Sequence, residues 1–260
     1  MNTSGVPGRD IFQLGKAPAK VDARNFRLAA LLKALPAVPD EWDYDVANPA
    51  IAIPTPMFGN DVYGDCVIAG RAHQTVRFEA FEQKKLIALT DNDVLREYWK
   101  EEGGTGPDFD RGLVVLDSLK LWRKQGWRAA RRKYSIHAFA QVNQANQGEV
   151  KAAIYLLSGA GAGLLLPRSA RAQITAGKIW DVTSGPDSTP GSWGGHYVYI
   201  SGYTSQGPVC VTWGRKQQMT WAFLQKYCDE LYAIVDNKDR FVRGSPVDVA
   251  KLEQYLSQLG

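Results

Sequence analysis

The chain has 260 residues, of which 45% are hydrophobic, 22% charged and 11% aromatic, and its formal net charge is +4. These values are typical of a globular protein with a sizeable core, and they exclude a disordered or collagen-like chain. The first residues lack the apolar run of a secretory signal, and the most apolar window, residues 152–166, is too short and glycine-rich to span a membrane. We therefore expect a soluble protein without a membrane span, and the missing signal favours the cytoplasm.

The elements predicted for the first half of the chain are helical. Apolar residues recur at helical intervals over residues 25–35, and three prolines then favour an extended segment over residues 47–57. A dense group of turn-forming residues follows, after which a helix is predicted from residue 66 to about residue 86. Two more helices are predicted, over residues 91–101 and 110–124.

Strands are predicted to dominate the second half. The glycine-rich run 159–163 precedes a strand-like segment, so we interpret it as a tight helix-to-strand connection and not as a phosphate-binding loop. A four-residue turn, 204–207, separates two strand-like runs and is typical of a hairpin. The predicted strands are 136–140, 163–167, 196–203, 208–214 and 231–235, and the predicted helices are 149–157, 219–227 and a tail helix over 247–259.

One basic segment accounts for the sign of the net charge. Residues 118–134 hold seven basic and no acidic side chains, together with Trp122 and Trp127. A nucleic-acid site would use such aromatic rings for stacking. However, Trp122 shares a helical face with Leu116 and Leu119, which predicts a core position for the ring and a solvated position for the charges. We expect no nucleic-acid partner.

The cysteines and histidines do not form a metal motif. The cysteines lack CxxC spacing, and the histidines lack HxxxH or HxxE spacing. We therefore expect no metal and no cofactor. Cys210 and Cys228 fit ordinary core positions, or a disulfide in an oxidising setting. A lone cysteine with a distant histidine is still a candidate nucleophile and base.

Cys66 and His196 are the candidates for that pair. Cys66 lies where a helix begins, and free N–H groups and the helix dipole lower the pKa of a thiol at such a place. His196 heads a strand, where it is free to face a cleft open to solvent. The backbone N–H of Cys66 and the amide of Asn60 are candidate donors to an oxyanion. The alternatives are a buried structural cysteine and a core histidine. His73 is about 10 Å along the helix from Cys66, too far to be a rival base, and is assigned to packing or to the surface.

The order of these segments resembles the papain-like cysteine peptidase superfamily over most of the chain. Asn60, five residues and Cys66 are similar to that family's oxyanion amide and nucleophile, with Asn in place of the usual Gln. Residues 195–203 resemble the strand that carries its catalytic histidine. The other similar segments are Trp42-Asp43, residues 89–95, residues 106–126 and residues 210–214.

The resemblance implies an α+β, two-lobe papain-like fold, with a helical first lobe, a β-barrel-like antiparallel second lobe and the cleft between them. It also implies that Trp213 shields the catalytic pair from water. The family's histidine-orienting asparagine is missing, because Val211 stands at that position. Thr212 is the nearest polar substitute, so Thr212 and Trp213 are predicted to support His196.

The resulting hypothesis divides the chain into four parts. Residues 1–46 form an N-terminal extension, which the resemblance allows to cover the cleft as an inhibitory segment. Residues 47–135 form the helical lobe with Cys66, residues 136–236 the β-rich lobe with His196, and residues 237–260 a tail helix.

The predicted function is hydrolysis of peptide bonds in a peptide or protein substrate by a Cys-His thiolate-imidazolium pair. One alternative is an amidase of the same chemistry acting on cell-wall or other non-protein amides. The other is a non-catalytic binding or assembly module, which the Val211 departure favours. No feature of the sequence indicates an oligomeric state.

Overall fold

The computed structural model of the chain describes residues 11–32, 37–129, 131–236 and 247–259. Most of the described helices precede the main run of strands, and 3₁₀ turns occupy Pro107–Phe109 and Pro186–Ser188. The helices are α1 (Leu28–Leu31), α2 (Tyr44–Ala47), α3 (Cys66–Glu82), α4 (Asp91–Glu101), α5 (Val115–Lys124), α6 (Gln147–Leu156), α7 (Arg168–Thr175), α8 (Trp221–Tyr227) and α9 (Val249–Leu259). The strands are β1 (Trp42–Asp43), β2 (Trp127–Ala129), β3 (Arg132–Tyr134), β4 (Ala138–Gln141), β5 (Ala160–Leu166), β6 (Gly194–Tyr203), β7 (Pro208–Thr212), β8 (Arg215–Gln218) and β9 (Cys228–Val235).

The main sheet is antiparallel, with the strand order β4-β9-β5-β6-β7-β8, and β1 pairs with the far end of β6. Strands β2 and β3 form a separate hairpin. Among the described residues the strand path is open, with β4 and β8 at its ends, so the expected barrel-like closure is absent there. The α+β fold with a helical first half and an antiparallel second half is confirmed.

Strand β6 separates the two main hydrophobic clusters of the core. Its side chains alternate between the faces of the sheet, as the pleat requires. Tyr197 packs into the cluster formed by α3, α4 and α5. Val198 and Ile200 pack into the cluster on the other face, with residues of α6, α7 and α8. The strand therefore touches both halves of the molecule, and His196 lies near its start.

The start of α3 is fixed by a buried polar contact among three helices. Arg71 of α3 is 2% exposed, and its Nη1 lies 2.8 Å from Glu101 Oε1 at the end of α4. The same guanidinium donates to the carbonyl of Ser118 in α5 and lies over the Trp122 ring. Because Glu101 is equally buried, the two charges depend on each other.

Several sequence-based boundaries differ from the structure. The glycine-rich run predicted as a connection is largely inside β5, where residues 160–163 pair with β6 and β9. The helix predicted from residue 110 begins at Val115, after a 3₁₀ turn. The helix predicted over residues 25–35 is limited to Leu28–Leu31 before residues 33–36, which lie outside the described part. Residues 237–246 of the predicted tail also lie outside it, whereas α9 occupies Val249–Leu259.

Other details follow the sequence interpretation. The side chains of Trp122 and Trp127 are buried, which agrees with a core position rather than a stacking surface. All three cysteines are free. None of the described helices is both long enough and apolar enough to cross a bilayer. The four-part division of the chain stays a prediction.

The buried contact of Arg71 generates a stability prediction. In Arg71→Met the side chain keeps its length but leaves Glu101 buried without a cation, which costs about 3–5 kcal/mol of unfolding free energy. Arg96→Met is the matched control, because Arg96 is 62% exposed where it pairs with Asp93. We expect that control to lose under about 1 kcal/mol. Urea unfolding of both variants measures the difference, and equal losses would contradict the assigned role.

Candidate active site

Cys66 is the first residue of α3, and its sulfur is held against strand β6. The backbone N–H of Tyr197 donates to Cys66 Sγ at 3.4 Å. Tyr197 directly follows His196, so the packing of α3 on the sheet brings the Cys66 sulfur to the backbone next to His196. Cys66 and His196 are 1% and 0% exposed, respectively.

The His196 ring is held at one nitrogen. Its Nε2 lies 2.7 Å from Thr212 Oγ1, on the neighbouring strand β7. Its Nδ1 is buried and has no hydrogen-bond partner among the residues that the structure describes. Buried ring nitrogens are usually bonded, so an unpaired Nδ1 is a candidate for a functional role. Thr212 is therefore the residue in contact with this nitrogen, and its supporting role stays a prediction.

The indole of Trp213 stacks on one face of the His196 imidazole. The two rings stack with centroids 4.0 Å apart and an interplanar angle of 13°. Trp213 and Gly214 form the two-residue turn between β7 and β8, and both have positive φ, 41° and 71°. A left-handed backbone is uncommon for a bulky residue, and it is the shape that a tight hairpin of this kind requires. The turn therefore sets the position of the indole.

Asn60 lies in the loop before α3 and is buried. Its Nδ2 donates to the carbonyl oxygen of Tyr63 at 2.9 Å and approaches that of Gln13 at 3.4 Å. Trp213 Nε1 donates to the same Gln13 oxygen at 3.1 Å. Two side-chain donors therefore converge on one carbonyl of the N-terminal region.

That carbonyl belongs to residues 11–17, which we call the covering segment. Lys16 N–H donates to the carbonyl of Gly195, the residue before His196, at 3.1 Å. Leu113 N–H donates to Gly15 O at 2.8 Å, and Ala17 N–H donates to Leu113 O at 2.9 Å. The segment is thus bonded to a loop of the first half, at Leu113, and to strand β6 of the second half, at Gly195.

Gly15 is the point of closest approach. A Cβ at this position would lie 1.6 Å from the carbonyl oxygen of Gly64, two residues before Cys66. No side chain fits in that space, so the backbone itself lies against the loop that leads into α3. Phe12, at the other end of the segment, packs edge-on against Trp213 with ring centroids 5.1 Å apart.

Burial determines the protonation of the site. Burial raises the pKa of the Cys66 thiol to about 12, although the Tyr197 and Gly15 amides act in the opposite direction. Burial lowers the pKa of the His196 imidazole to about 3. Both groups are therefore neutral at pH 7 in this state. The expectation that His196 faces a cleft open to solvent is wrong here, because the covering segment fills that space.

Two nearby ionisable residues do not add charge to the site. Burial raises the pKa of Asp65, the residue before Cys66, well above its usual range, which favours a neutral carboxyl beside the thiol. His73 is buried in α3 and packs on Phe58, with ring centroids 4.8 Å apart. That packing agrees with the role assigned to His73 from the sequence.

Sequence reasoning did not identify the covering segment as part of the site. Its contacts use backbone amides and two glycines, and such contacts leave no periodic pattern in a sequence. It also missed Leu113, Gly195 and the Tyr197 amide, whose backbone groups hold the segment or the sulfur. The nearest indication of this segment in the sequence is the inhibitory role that the family resemblance allows for residues 1–46.

Solved structures similar to this chain are papain-like cysteine proteases. Xylellain, a cysteine protease from Xylella fastidiosa, superposes with a TM-score of 0.66 and 17% identity, covering 90% of this chain and 100% of that one. The proCathepsin B S9 of Trypanosoma congolense gives 0.60 and 10% identity, covering 88% of each chain. The Carica candamarcensis cysteine protease CMS1MS2, solved with E-64, gives 0.55 and 13%, covering 77% of this chain and 100% of that one.

No protein-family model matches the sequence, and no curated protein matches it. The resemblance noted from the sequence is confirmed in the fold: the chain has the papain-like cysteine protease fold. At these low sequence identities the similarity establishes only the fold. Any catalytic activity has to be inferred from the residues of this chain.

The covering segment generates a prediction about accessibility. Gly15→Val places a branched side chain where the Gly64 carbonyl stands, so the segment must leave its position. We expect Cys66 to react with iodoacetamide at pH 7 at least about 10-fold faster in this variant, because the thiol gains solvent and its pKa falls. Peptide mapping by mass spectrometry after timed alkylation measures the rate.

Gly106→Val is the matched control, since Gly106 has an extended backbone and no atom within 4 Å of an added Cβ. Cys210 and Cys228, both buried, should stay unreactive in both variants and so report on intact folding. An unchanged Cys66 rate in a folded Gly15→Val chain would show that the segment does not protect the thiol.

Proposed function

We propose that the protein is a cysteine peptidase in which Cys66 is the nucleophile and His196 the base, held latent by the covering segment. The observation that carries this proposal is the state of the His196 ring: Thr212 engages Nε2, and Nδ1 is left unbonded on the strand that receives the Cys66 sulfur. His73 also has an unbonded Nδ1, so it is the position of His196 that sets it apart: His196 directly precedes Tyr197, whose N–H bonds the Cys66 sulfur. The papain-like fold supports the same assignment.

The proposed reaction follows from these groups. With the segment displaced, the thiol transfers its proton to His196 Nδ1, and the thiolate attacks the carbonyl carbon of a peptide bond. The resulting oxyanion accepts hydrogen bonds from Cys66 N–H and Asn60 Nδ2. The imidazolium then protonates the leaving amine as the C–N bond breaks, and water, deprotonated by His196, hydrolyses the thioester.

The contacts of Gln13 support the oxyanion role of Asn60. The Gln13 carbonyl oxygen approaches Asn60 Nδ2 and accepts from Trp213 Nε1. A backbone carbonyl therefore already accepts from Asn60 Nδ2, one of the two donors that the proposal assigns to the oxyanion. In this sense the covering segment imitates a substrate in the cleft.

The same segment is not itself positioned for cleavage. At Cys66 it presents the backbone N–H of Gly15, which favours the thiolate, and an N–H is not an electrophile. Latency follows from both the occupied cleft and the neutral thiol. Similar structures include the Amb a 11 ragweed allergen, described as a cysteine protease in its proform, at a TM-score of 0.55 and 13% identity.

Thr212 takes the place of an orienting asparagine in the proposal. An asparagine oxygen can only accept, so it fixes the proton on Nε2 and leaves Nδ1 as a base. A threonine hydroxyl can also donate, and the ring can then adopt either tautomer. Thr212 therefore holds the ring in place but selects its tautomer less strictly, which predicts a slower enzyme.

A non-catalytic module with the same fold is the second candidate. The observation that favours it is the complete burial of Cys66 and His196, together with pKa values that keep both neutral. The two candidates differ in what happens once the segment is displaced: a peptidase gains activity, and a binding module does not.

Peptide hydrolysis by the Gly15→Val chain tests the proposal. We expect it to cleave a peptide library, and we expect Cys66→Ala in the same background to lose at least about 1,000-fold in rate, because the nucleophile is gone. Cys210→Ala in that background is the control and should retain activity, since Cys210 is buried in β7. A chain whose Cys66 alkylates freely but which cleaves nothing would favour the module.

The role of Thr212 gives a separate prediction. In the Gly15→Val background, Thr212→Val removes the hydroxyl that bonds Nε2 and should lower kcat/KM about 10- to 100-fold. Loss of an acceptor for the imidazolium lowers the pKa of His196, so the high-pH limb of the rate profile should move to lower pH. Thr212→Asn supplies an acceptor and should match or exceed the parent. If both variants lose the same factor in kcat/KM and the limbs of the pH–rate profile do not move, Thr212 has only a packing role.

A further inference from the structure

The covering segment places one charged side chain deep in the protein. Lys16 has a fully buried side chain, and its Nζ lies 2.8 Å from Asp229 Oδ2 and 3.1 Å from Glu230 Oε1, both on β9. The ammonium also donates to the carbonyl of Ala17 at 3.2 Å. Lysine is among the residues least often buried, so such a site requires its carboxylates.

The pocket is shaped to admit a long side chain. Gly163 of β5 pairs with Glu230 of β9, and a Cβ on Gly163 would lie 2.2 Å from Lys16 Cε and 2.6 Å from Glu230 Cγ. Any larger residue at position 163 would fill the channel through which the lysine stem passes. The absence of a side chain at Gly163 therefore leaves room for the lysine stem, and the carboxylates of Asp229 and Glu230 lie at the end of the pocket.

The pocket lies next to the proposed nucleophile. Gly15 contacts Cys66 through its backbone amide, and Lys16 is the next residue along the segment. The backbone N–H of Lys16 donates to the carbonyl of Gly195, beside His196. A substrate that binds in the cleft in place of the covering segment would therefore direct one of its side chains, close to Cys66, into the pocket that Lys16 occupies.

The carboxylates make the empty pocket selective. Glu230 is 2% exposed in its side chain, and burial raises its pKa while Lys16 acts against that rise. Tyr232 Oη donates to Glu230 Oε2 at 3.2 Å, which supports one oxygen and leaves the other for the cation. Once Lys16 departs, two adjacent acidic groups remain partly buried, and an incoming cation restores their balance.

We propose that the pocket formed by Gly163, Asp229 and Glu230 is a specificity subsite that selects a lysine or arginine side chain of the substrate. Lys16 occupies this subsite in the latent chain as the substitute for that side chain. The inference rests on the proposed peptidase function, and it adds the class of substrate.

Matched peptides test the subsite in the Gly15→Val chain. Fluorogenic peptides carry Lys, Arg or norleucine at each of three positions before the cleaved bond; norleucine keeps most of the lysine stem but lacks the amine. We expect one position at which Lys exceeds norleucine by at least about 30-fold in kcat/KM, the size typical of a buried charge pair. Equal rates at every position would overturn the proposal.

Two substitutions assign the preference to the carboxylates. In Glu230→Gln and Asp229→Asn the ratio of Lys to norleucine rates should fall at least 10-fold, while norleucine peptides keep their rate or improve. Glu41→Gln is the control, since Glu41 bonds the backbone of Ser205 at the surface. A uniform fall for all peptides in Glu230→Gln would indicate a structural residue and contradict the subsite.

A binding readout separates this inference from the peptidase proposal. Synthetic peptides of residues 11–20, with Lys16 or with norleucine in its place, are tested for protection of Cys66 from iodoacetamide in the Gly15→Val chain. We expect at least about 10-fold tighter protection by the lysine peptide, abolished by Glu230→Gln, whether or not the chain cleaves any peptide. Equal protection by both peptides would refute the subsite even in an active enzyme.

Discussion

The docking of the first turn of α3 on strand β6 is the contact on which the site depends. The hydrogen bond from Tyr197 N–H to Cys66 Sγ joins residues 131 positions apart, and neither residue could reach the other without the packing of helix on sheet. Arg71 ties α3 to its neighbouring helices, and β6 is paired on both sides by β5 and β7. The strands around β6 then supply the rest: β7 carries Thr212 and leads into the Trp213 turn, while β5 and β9 form the pocket of Lys16.

Burial of the site affects its chemistry as well as its accessibility. Raising the pKa of the thiol to about 12 disfavours the thiolate by roughly 4 kcal/mol, whereas a helix N-terminus supplies up to about 2 kcal/mol in its favour. The effect of burial on the thiol pKa is therefore the larger while the segment is in place. Once water reaches the sulfur, we expect the effect of the helix N-terminus to be the larger. In our proposals, the same seven residues that fill the cleft also present a lysine to the carboxylates of Asp229 and Glu230, so latency and substrate choice share one set of contacts.

Much of the architecture was predictable because it follows local patterns. The proline-free run after Cys66 became α3, and the hairpin around residues 204–207 became β6 and β7. The glycine-rich run was misassigned because the missing side chains are replaced by rings from β6: a Cβ on Gly161 would lie 1.8 Å from Tyr197 Oη. The sequence of the glycine-rich run alone does not reveal that side chains of another strand fill this space. The position of Lys16 was equally out of reach, since its partners lie more than 200 residues away. The catalytic roles of Cys66, His196 and Asn60 stay predictions that the geometry supports.

We propose that Cys66 and His196 share a proton once the covering segment is displaced. The most direct measurement is the pH dependence of Cys66 alkylation in the Gly15→Val chain, with and without His196→Asn. We predict a thiolate that persists well below pH 7, giving a rate plateau at acidic pH that His196→Asn abolishes. A single titration near the free-thiol pKa of about 8.5, unchanged by removal of the imidazole, would show that the two residues share no proton.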